Sequence, residues 1–121
     1  PAIDIVVEVM GGVGAAKECV YAALKAGKHV VTANKALLAT HLDDLLAQGH
    51  FATSAQTLGF EAAVCGGIPI IATLREHLAL DAVESVRGIM NGTTNFMLSK
   101  MEAEGADYGD VLKEAQALGY A

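Results

Sequence analysis

Apolar and polar positions along the chain alternate between two periods. Ile3 to Val9 is β-rich and nearly continuous in apolar residues, the pattern of a strand covered on both faces. Gly11, Gly12 and Gly14 interrupt it. Ala15 to Ala26 then places Ala16, Cys19, Val20, Ala23 and Leu24 on one helical face, and Gly27 ends that helix. His29 to Thr32 predicts a second short strand, and Ala33-Asn34-Lys35 turns into a helix over roughly 36–48. Residues 50–58 fit a continued helix or a loop.

Gly59 to Val64 predicts a third strand, ending in Cys65-Gly66-Gly67-Ile68-Pro69. Pro69 suits the first turn of a helix, with Ile70, Ile71, Leu74 and Leu78 on one apolar face. Ala82 to Met90 reads as a fourth strand. Thr93 or Thr94 then caps a helix running through Glu104. A last helix, roughly Tyr108 to Leu118, turns Val111, Leu112, Ala115 and Leu118 inward, and Met90, Met97 and Met101 are packing residues. Strands alternating with helices imply βαβ units and a mainly parallel sheet, so the fold class is α/β. In such sheets ligands bind beyond the carboxyl ends of the strands.

Composition narrows the functions. The 121 residues allow one ordinary domain's worth of core, and 53% apolar with 18% charged residues excludes a disordered chain. A net charge of −6 without any Lys/Arg cluster argues against a nucleic-acid surface. Cys19 and Cys65 lack metal or disulfide spacing and read as buried small hydrophobes in a reducing cytoplasm. No apolar run approaches a membrane span, and no signal segment opens the sequence. Pro1 begins it without a methionine and Gly119-Tyr120-Ala121 follows directly on a helix pattern, so both ends read as cut.

Four turns carry candidate chemistry. Gly11 and Gly12 follow a strand, where backbone N–H groups can approach a ligand, although a tight turn alone needs such glycines too. They do not form G-x-G-x-x-G. Lys35 follows Thr32 and Asn34 at a strand end, a place to orient a carbonyl and offer charge to a reacting oxygen. The plainer reading is a solvated lysine in a first helical turn, which the helix dipole disfavours. Glu61 followed by Gly66 and Gly67 joins a carboxylate to accessible carbonyls, a hard-cation set. On the residues alone, pairing of Glu61 with a base across the sheet is preferred. Asn91-Gly92-Thr93-Thr94-Asn95 gathers amides and hydroxyls where N–H groups can hold a carboxylate or carbonyl. His29, His41, His50 and His77 show no ligand spacing and read as structural or solvated.

Together these segments resemble homoserine dehydrogenase. The match runs through Glu8-Val9-Met10-Gly11-Gly12, Gly27 to Lys35, Phe60-Glu61-Ala62, Gly66 to Ile71, Gly88 to Asn95 and Ala115 to Ala121, in the family's order. The family interconverts aspartate semialdehyde and homoserine with NADH or NADPH, on the route to threonine, methionine and isoleucine. The resemblance implies an internal fragment: residues 1–59 as the second half of a Rossmann-like nucleotide-binding domain, and 60–121 as the first part of an α/β substrate and dimerisation domain. It implies that Gly11 and Gly12 lie beside the nicotinamide, that Lys35 contacts cofactor and substrate, and that Gly92 and Thr93 border homoserine. Glu61, with the carbonyls of Val64, Gly66 and Ile68, would match a monovalent-cation site, usually sodium, which reverses the reading of Glu61 from the residues alone. The intact protein would be a homodimer, and the proton donor and the G-x-G-x-x-G turn would lie outside these residues. The fragment alone is expected to be inactive and prone to self-association at its sheet edges. Two other readings stay open: a non-catalytic binding module on this scaffold, and another semialdehyde or amino-acid dehydrogenase. The dehydrogenase reading expects the turns at Lys35, Gly66-Gly67 and Thr93 to converge on one cleft.

Overall fold

Strand order follows chain order. A computed structural model describes residues 2–47 and 57–120. In it β1 (Ile5–Glu8), β2 (His29–Thr32) and β3 (Leu58–Gly59) pair in parallel as β1-β2-β3. The register sets Ile5 opposite His29, Glu8 opposite Thr32 and Val30 opposite Leu58. The connections are α1 (Gly14–Lys25) and a second crossover containing α2 (Lys35–Ala47). The chain divides into two units, residues 1–71 and 72–121.

In the first unit the period of two along the strands decides what is buried. Val30 and Leu58, with Val6 beside them, meet Val20 and Leu24 of α1 and Leu37, Leu38 and Leu45 of α2. Both helices therefore cover one face, as right-handed crossovers between sequential neighbours require. The opposite face carries Ile5, Val7 and Val31, which stay exposed. The expected strand covered on both sides is thus half right. A continuous apolar run tells what a strand can bury, and the described residues supply helices to one face only.

Helix α1 ends where expected. Gly27, at φ 75°, lets its own N–H reach the Leu24 carbonyl and the Lys28 N–H reach that of Ala23, each at 3.0 Å. Its buried stripe is Ala16, Val20 and Leu24. Cys19, one position off that stripe, is exposed and Cys65 is half-buried, so neither thiol is the buried hydrophobe expected.

The third strand is shorter than expected from Gly59 to Val64. It stops after Gly59, and a 3-10 turn takes Glu61–Ala63, with the Ala63 N–H on the Phe60 carbonyl at 3.0 Å. Glu-Ala-Ala favours helical backbone over a pleated strand. The open question over residues 50–58 lies mostly outside the described residues, as does His50.

After Pro69 the chain forms α3 (Ile70–Ala72), and Thr73–His77 continues as a π-helical turn closed by the Leu78 N–H on the Thr73 carbonyl at 3.1 Å. In the second unit the expected strand over 82–90 makes no ladder among the described residues. Val83, Val86, Ile89 and Met90 are exposed, which also removes Met90 from the packing residues. Alternation suits a strand, but a strand exists only through a neighbour's hydrogen bonds.

The rest is a helical hairpin of α4 (Gly92–Glu104) and α5 (Tyr108–Ala117), turned at Gly105 with φ 63°. Met97, Val111 and Ala115 form its core, flanked by Phe96, Met101 and Leu112, while Leu118 is exposed rather than inward. Lys100 Nζ lies 2.6 Å from Glu114 Oε1 and 3.7 Å from Glu104 Oε2. The Glu114 hydrogen bond, with Glu104 beside it, raises the Lys100 pKa above its ordinary value against a smaller opposing effect of burial.

The cap of α4 is Asn91, not Thr93 or Thr94: its Oδ1 accepts the Thr94 N–H at 3.0 Å. Asparagine is the better cap, because its side chain reaches the third N–H from extended backbone. Asn91→Ala should therefore destabilise the protein by about 1 kcal/mol, measured as a lower denaturant midpoint, while Asn91→Ser should stay near the original value.

Candidate cofactor site at the strand ends

A buried polar network joins the carboxyl ends of β1 and β2. Period-two alternation turns Glu8 to the same covered face as Val6, opposite Thr32, and both residues are buried. Thr32 Oγ1 donates to Glu8 Oε2 at 2.6 Å. Glu8 Oε1 accepts the N–H groups of Met10 at 2.8 Å and Gly11 at 3.3 Å. Burial pushes the Glu8 carboxyl pKa up, but the Thr32 hydroxyl, the two N–H groups and Asn34 outweigh it. The net value lies below the ordinary 4.5.

Asn34 extends the network in two directions. Its N–H donates to Thr32 Oγ1 at 3.0 Å, and its Oδ1 caps α2 by accepting the Leu37 N–H at 3.0 Å. Its Nδ2 donates to the Gly12 carbonyl at 2.7 Å. Gly11 and Gly12 both hold left-handed backbone, at φ 76° and 70°. A Cβ on either would meet no described atom within 4 Å, so conformation rather than crowding calls for glycine here. The space beyond the turn is open to a ligand.

Helix α1 begins directly after this turn, and Val13 gives it no side-chain cap, whereas α2, α4 and α5 are capped by Asn34, Asn91 and Asp107. Its first N–H groups remain available to an anionic group. Lys35 opens α2 next to Asn34, with its side chain exposed. Gly11, Gly12 and Lys35 are thus brought to one corner, tied by the Asn34–Gly12 bond.

The turn after β3 leaves the same edge of the parallel sheet. Glu61 Oε1 accepts the Ile71 N–H at 2.9 Å and closes a loop containing Val64, Gly66 and Ile68. Cys65 and Gly66 are both left-handed, at φ 57° and 60°. The Ile68 N–H donates to the Cys65 carbonyl at 3.2 Å, and the Ile68 carbonyl accepts from Ile70 at 2.8 Å. The loop contains one carboxylate and several backbone carbonyls, the residue types of a hard-cation set, and Glu61 Oε1 and the Cys65 and Ile68 carbonyls each already accept an N–H.

Gly92 and Thr93 open α4 in the second unit. The Thr93 hydroxyl donates to the Tyr120 carbonyl, and the Phe96 and Tyr120 rings stack at 4.9 Å between centroids. Gly92, Asn95, Lys100 and Tyr120 line a hollow of about 570 Å³. Two of the histidines read as structural or solvated make local polar contacts. His29 Nδ1 accepts the Thr57 N–H at 3.3 Å, and His41 lies 3.8 Å from Asp44.

Glu8 is the residue that reading the sequence for chemistry passed over. Its signal was present: an acid at an inward position of an apolar strand needs partners.

A parallel α/β unit with an open glycine turn, an uncapped helix start and a lysine at adjacent strand ends is the construction of a nucleotide-binding domain. A family model described as "Homoserine dehydrogenase, NAD binding domain" matches residues 1–56, and one described as "Homoserine dehydrogenase" matches 69–121. The chain belongs to the homoserine dehydrogenase family. It is 53% identical to a homoserine dehydrogenase of Neisseria gonorrhoeae over 98% of this chain and 27% of that protein. It is 56% identical to one of Corynebacterium glutamicum, over 98% and 26%. Among solved structures, a homoserine dehydrogenase from Thiobacillus denitrificans matches with a TM-score of 0.84 at 53% identity, over 98% of this chain and 27% of that one. One from Thermoplasma acidophilum matches at 0.76 and 30%, over 100% and 38%. The chain thus spans about a quarter of the length of the curated relatives it matches. Among the described residues no helix is long and apolar enough to cross a membrane.

Proposed function

We propose that the intact protein carrying this chain is an oxidoreductase that interconverts L-homoserine and L-aspartate 4-semialdehyde with NAD(P)(H), in the synthesis of threonine, methionine and isoleucine. The observation that carries this reading is the corner where Asn34 Nδ2 ties the left-handed Gly12 to the start of α2, beside Lys35. The open space over Gly11 and Gly12 and the uncapped start of α1 fit a nicotinamide nucleotide, which supplies or takes up the hydride when bound.

The chain's own residues bind and orient. Gly11 and Gly12 bring backbone close to the ligand, and Lys35 reaches cofactor and substrate. Its ammonium stabilises the negative charge that builds on the substrate oxygen. Gly92 and Thr93 border the substrate. Glu61, with the carbonyls of Val64, Gly66 and Ile68, would hold a sodium ion, which would fix the loop without taking part in hydride transfer. Residues 1–59 belong to the nucleotide-binding domain and 60–121 to the substrate domain of a cytoplasmic homodimer. The 121 residues alone are expected to give no turnover.

The test is the intact protein with homoserine and NAD⁺ or NADP⁺, followed at the absorbance band of reduced nicotinamide. Homoserine-dependent growth of that band is expected. Nucleotide binding without it would overturn the substrate, and no nucleotide binding would overturn the whole reading.

A further inference from the structure

In the proposed reaction Lys35 and the glycine turn meet the ligand, yet the most elaborate polar construction among the described residues of the first unit lies behind both. Glu8 is 3% exposed, Thr32 0% and Asn34 6%, so the three are shut off from any ligand and act on it only through what they hold. We propose that Glu8, acting through Thr32 and Asn34, is the positioning residue that holds the Gly11–Gly12 turn in its nucleotide-accepting shape and locks that turn to the start of α2. This rests on the nucleotide-binding reading above.

The bonds reach both sides of the turn. On the incoming side, Glu8 Oε1 takes the N–H groups of Met10 and Gly11, which orients two successive peptide planes. On the outgoing side, Asn34 Nδ2 holds the Gly12 carbonyl. Between them, Glu8 Oε2 takes the Thr32 hydroxyl proton, and the same hydroxyl oxygen accepts the Asn34 N–H. Glycine has more backbone freedom than any other residue, so two in succession keep one left-handed shape only if something outside the turn selects it. No side-chain packing does so, because a Cβ at Gly11 or Gly12 would touch nothing described within 4 Å.

The chemistry also explains why the residue is an acid. Two N–H groups and a hydroxyl all donate toward Glu8, and an ionised carboxylate is acceptor-only. An amide in its place would set an NH₂ against one of these donors.

Three variants of the intact protein test this. Thr32→Val keeps the volume and removes the hydroxyl, Thr32→Ser restores it, and Glu8→Gln keeps the shape while ending acceptor-only character. Binding of the reduced nucleotide is read by its fluorescence, alongside kcat, both KM values and the unfolding midpoint. Thr32→Val and Glu8→Gln should weaken nucleotide binding and raise its KM about tenfold, the size expected for losing one buried charge-assisted hydrogen bond, with Thr32→Ser recovering most of it. The homoserine KM should move less than about twofold. Simple destabilisation would instead lower the active fraction and leave both KM values alone, which would count against the proposal. A folded Thr32→Val protein with unchanged nucleotide affinity overturns it. Should that variant not fold, Asn34→Asp, which keeps the cap on Leu37 but replaces the amide donor to Gly12 and Glu8 by a carboxylate that repels both, carries the same expectation. If the unaltered protein binds no nucleotide, the functional reading falls first and this proposal with it. If it binds and the variants bind equally well, only the proposal falls.

Discussion

Lys35→Ala in the intact protein should lower kcat for homoserine oxidation by about 10²- to 10³-fold, the usual cost of removing a group that stabilises charge on a reacting oxygen. The fold should not suffer. Lys35 sits in the first turn of α2 with its side chain exposed, and a cation near that positive helix end is slightly unfavourable. The unfolding midpoint should therefore stay level or rise slightly as activity falls. Lys35→Arg should recover only part of the rate, because a planar guanidinium places its charge differently from an ammonium. Unchanged steady-state kinetics in Lys35→Ala would remove the assigned role.

Glu8→Ala should cost about 2–4 kcal/mol of stability, since it strands the Thr32 hydroxyl and the Met10 and Gly11 N–H groups at a mostly buried site. The same group gives stability a pH dependence of definite sign. Its folded pKa lies below the ordinary 4.5, so the folded state favours the carboxylate. That contribution is complete above the unfolded value and is lost as pH falls through the folded one. Urea midpoints recorded from neutral pH downward should therefore decline below about pH 5 in the original protein, and less steeply in Glu8→Gln. Parallel acid profiles for the two proteins would show that Glu8 is not the group responsible.

Where the pattern was strong and the contacts local, the sequence was readable. Ala16, Val20 and Leu24 share a face at fixed spacing, and Gly27 ends α1 by a rule that involves only neighbouring carbonyls. The parallel sheet followed from alternation of strand and helix patterns. What failed depended on partners. Residues 82–90 alternate well but have no described strand beside them, and Leu118 and Met90 had the spacing of core residues without a surface to pack on. Cys19 missed its expected place by a single helical position. At the site, Gly11, Gly12 and Lys35 were visible as turn residues, because turns concentrate unusual residue types. Glu8 was not singled out, because its meaning lies in a turn that folds the Met10 and Gly11 N–H groups back onto it and in the β1–β2 register that sets the Thr32 hydroxyl, 24 positions away, beside it.

Cys65 is the one described non-glycine residue with left-handed backbone, at φ 57°. An L side chain pays roughly 1–2 kcal/mol to sit there, so the thiol occupies a post that glycine or asparagine would fill more comfortably. Cys65→Gly should accordingly leave the fold intact and leave Cys19 as the one cysteine within these 121 residues. The remaining sulfhydryl, on the solvent side of α1, then offers a ready attachment point for a spin label or dye that reports on the helix.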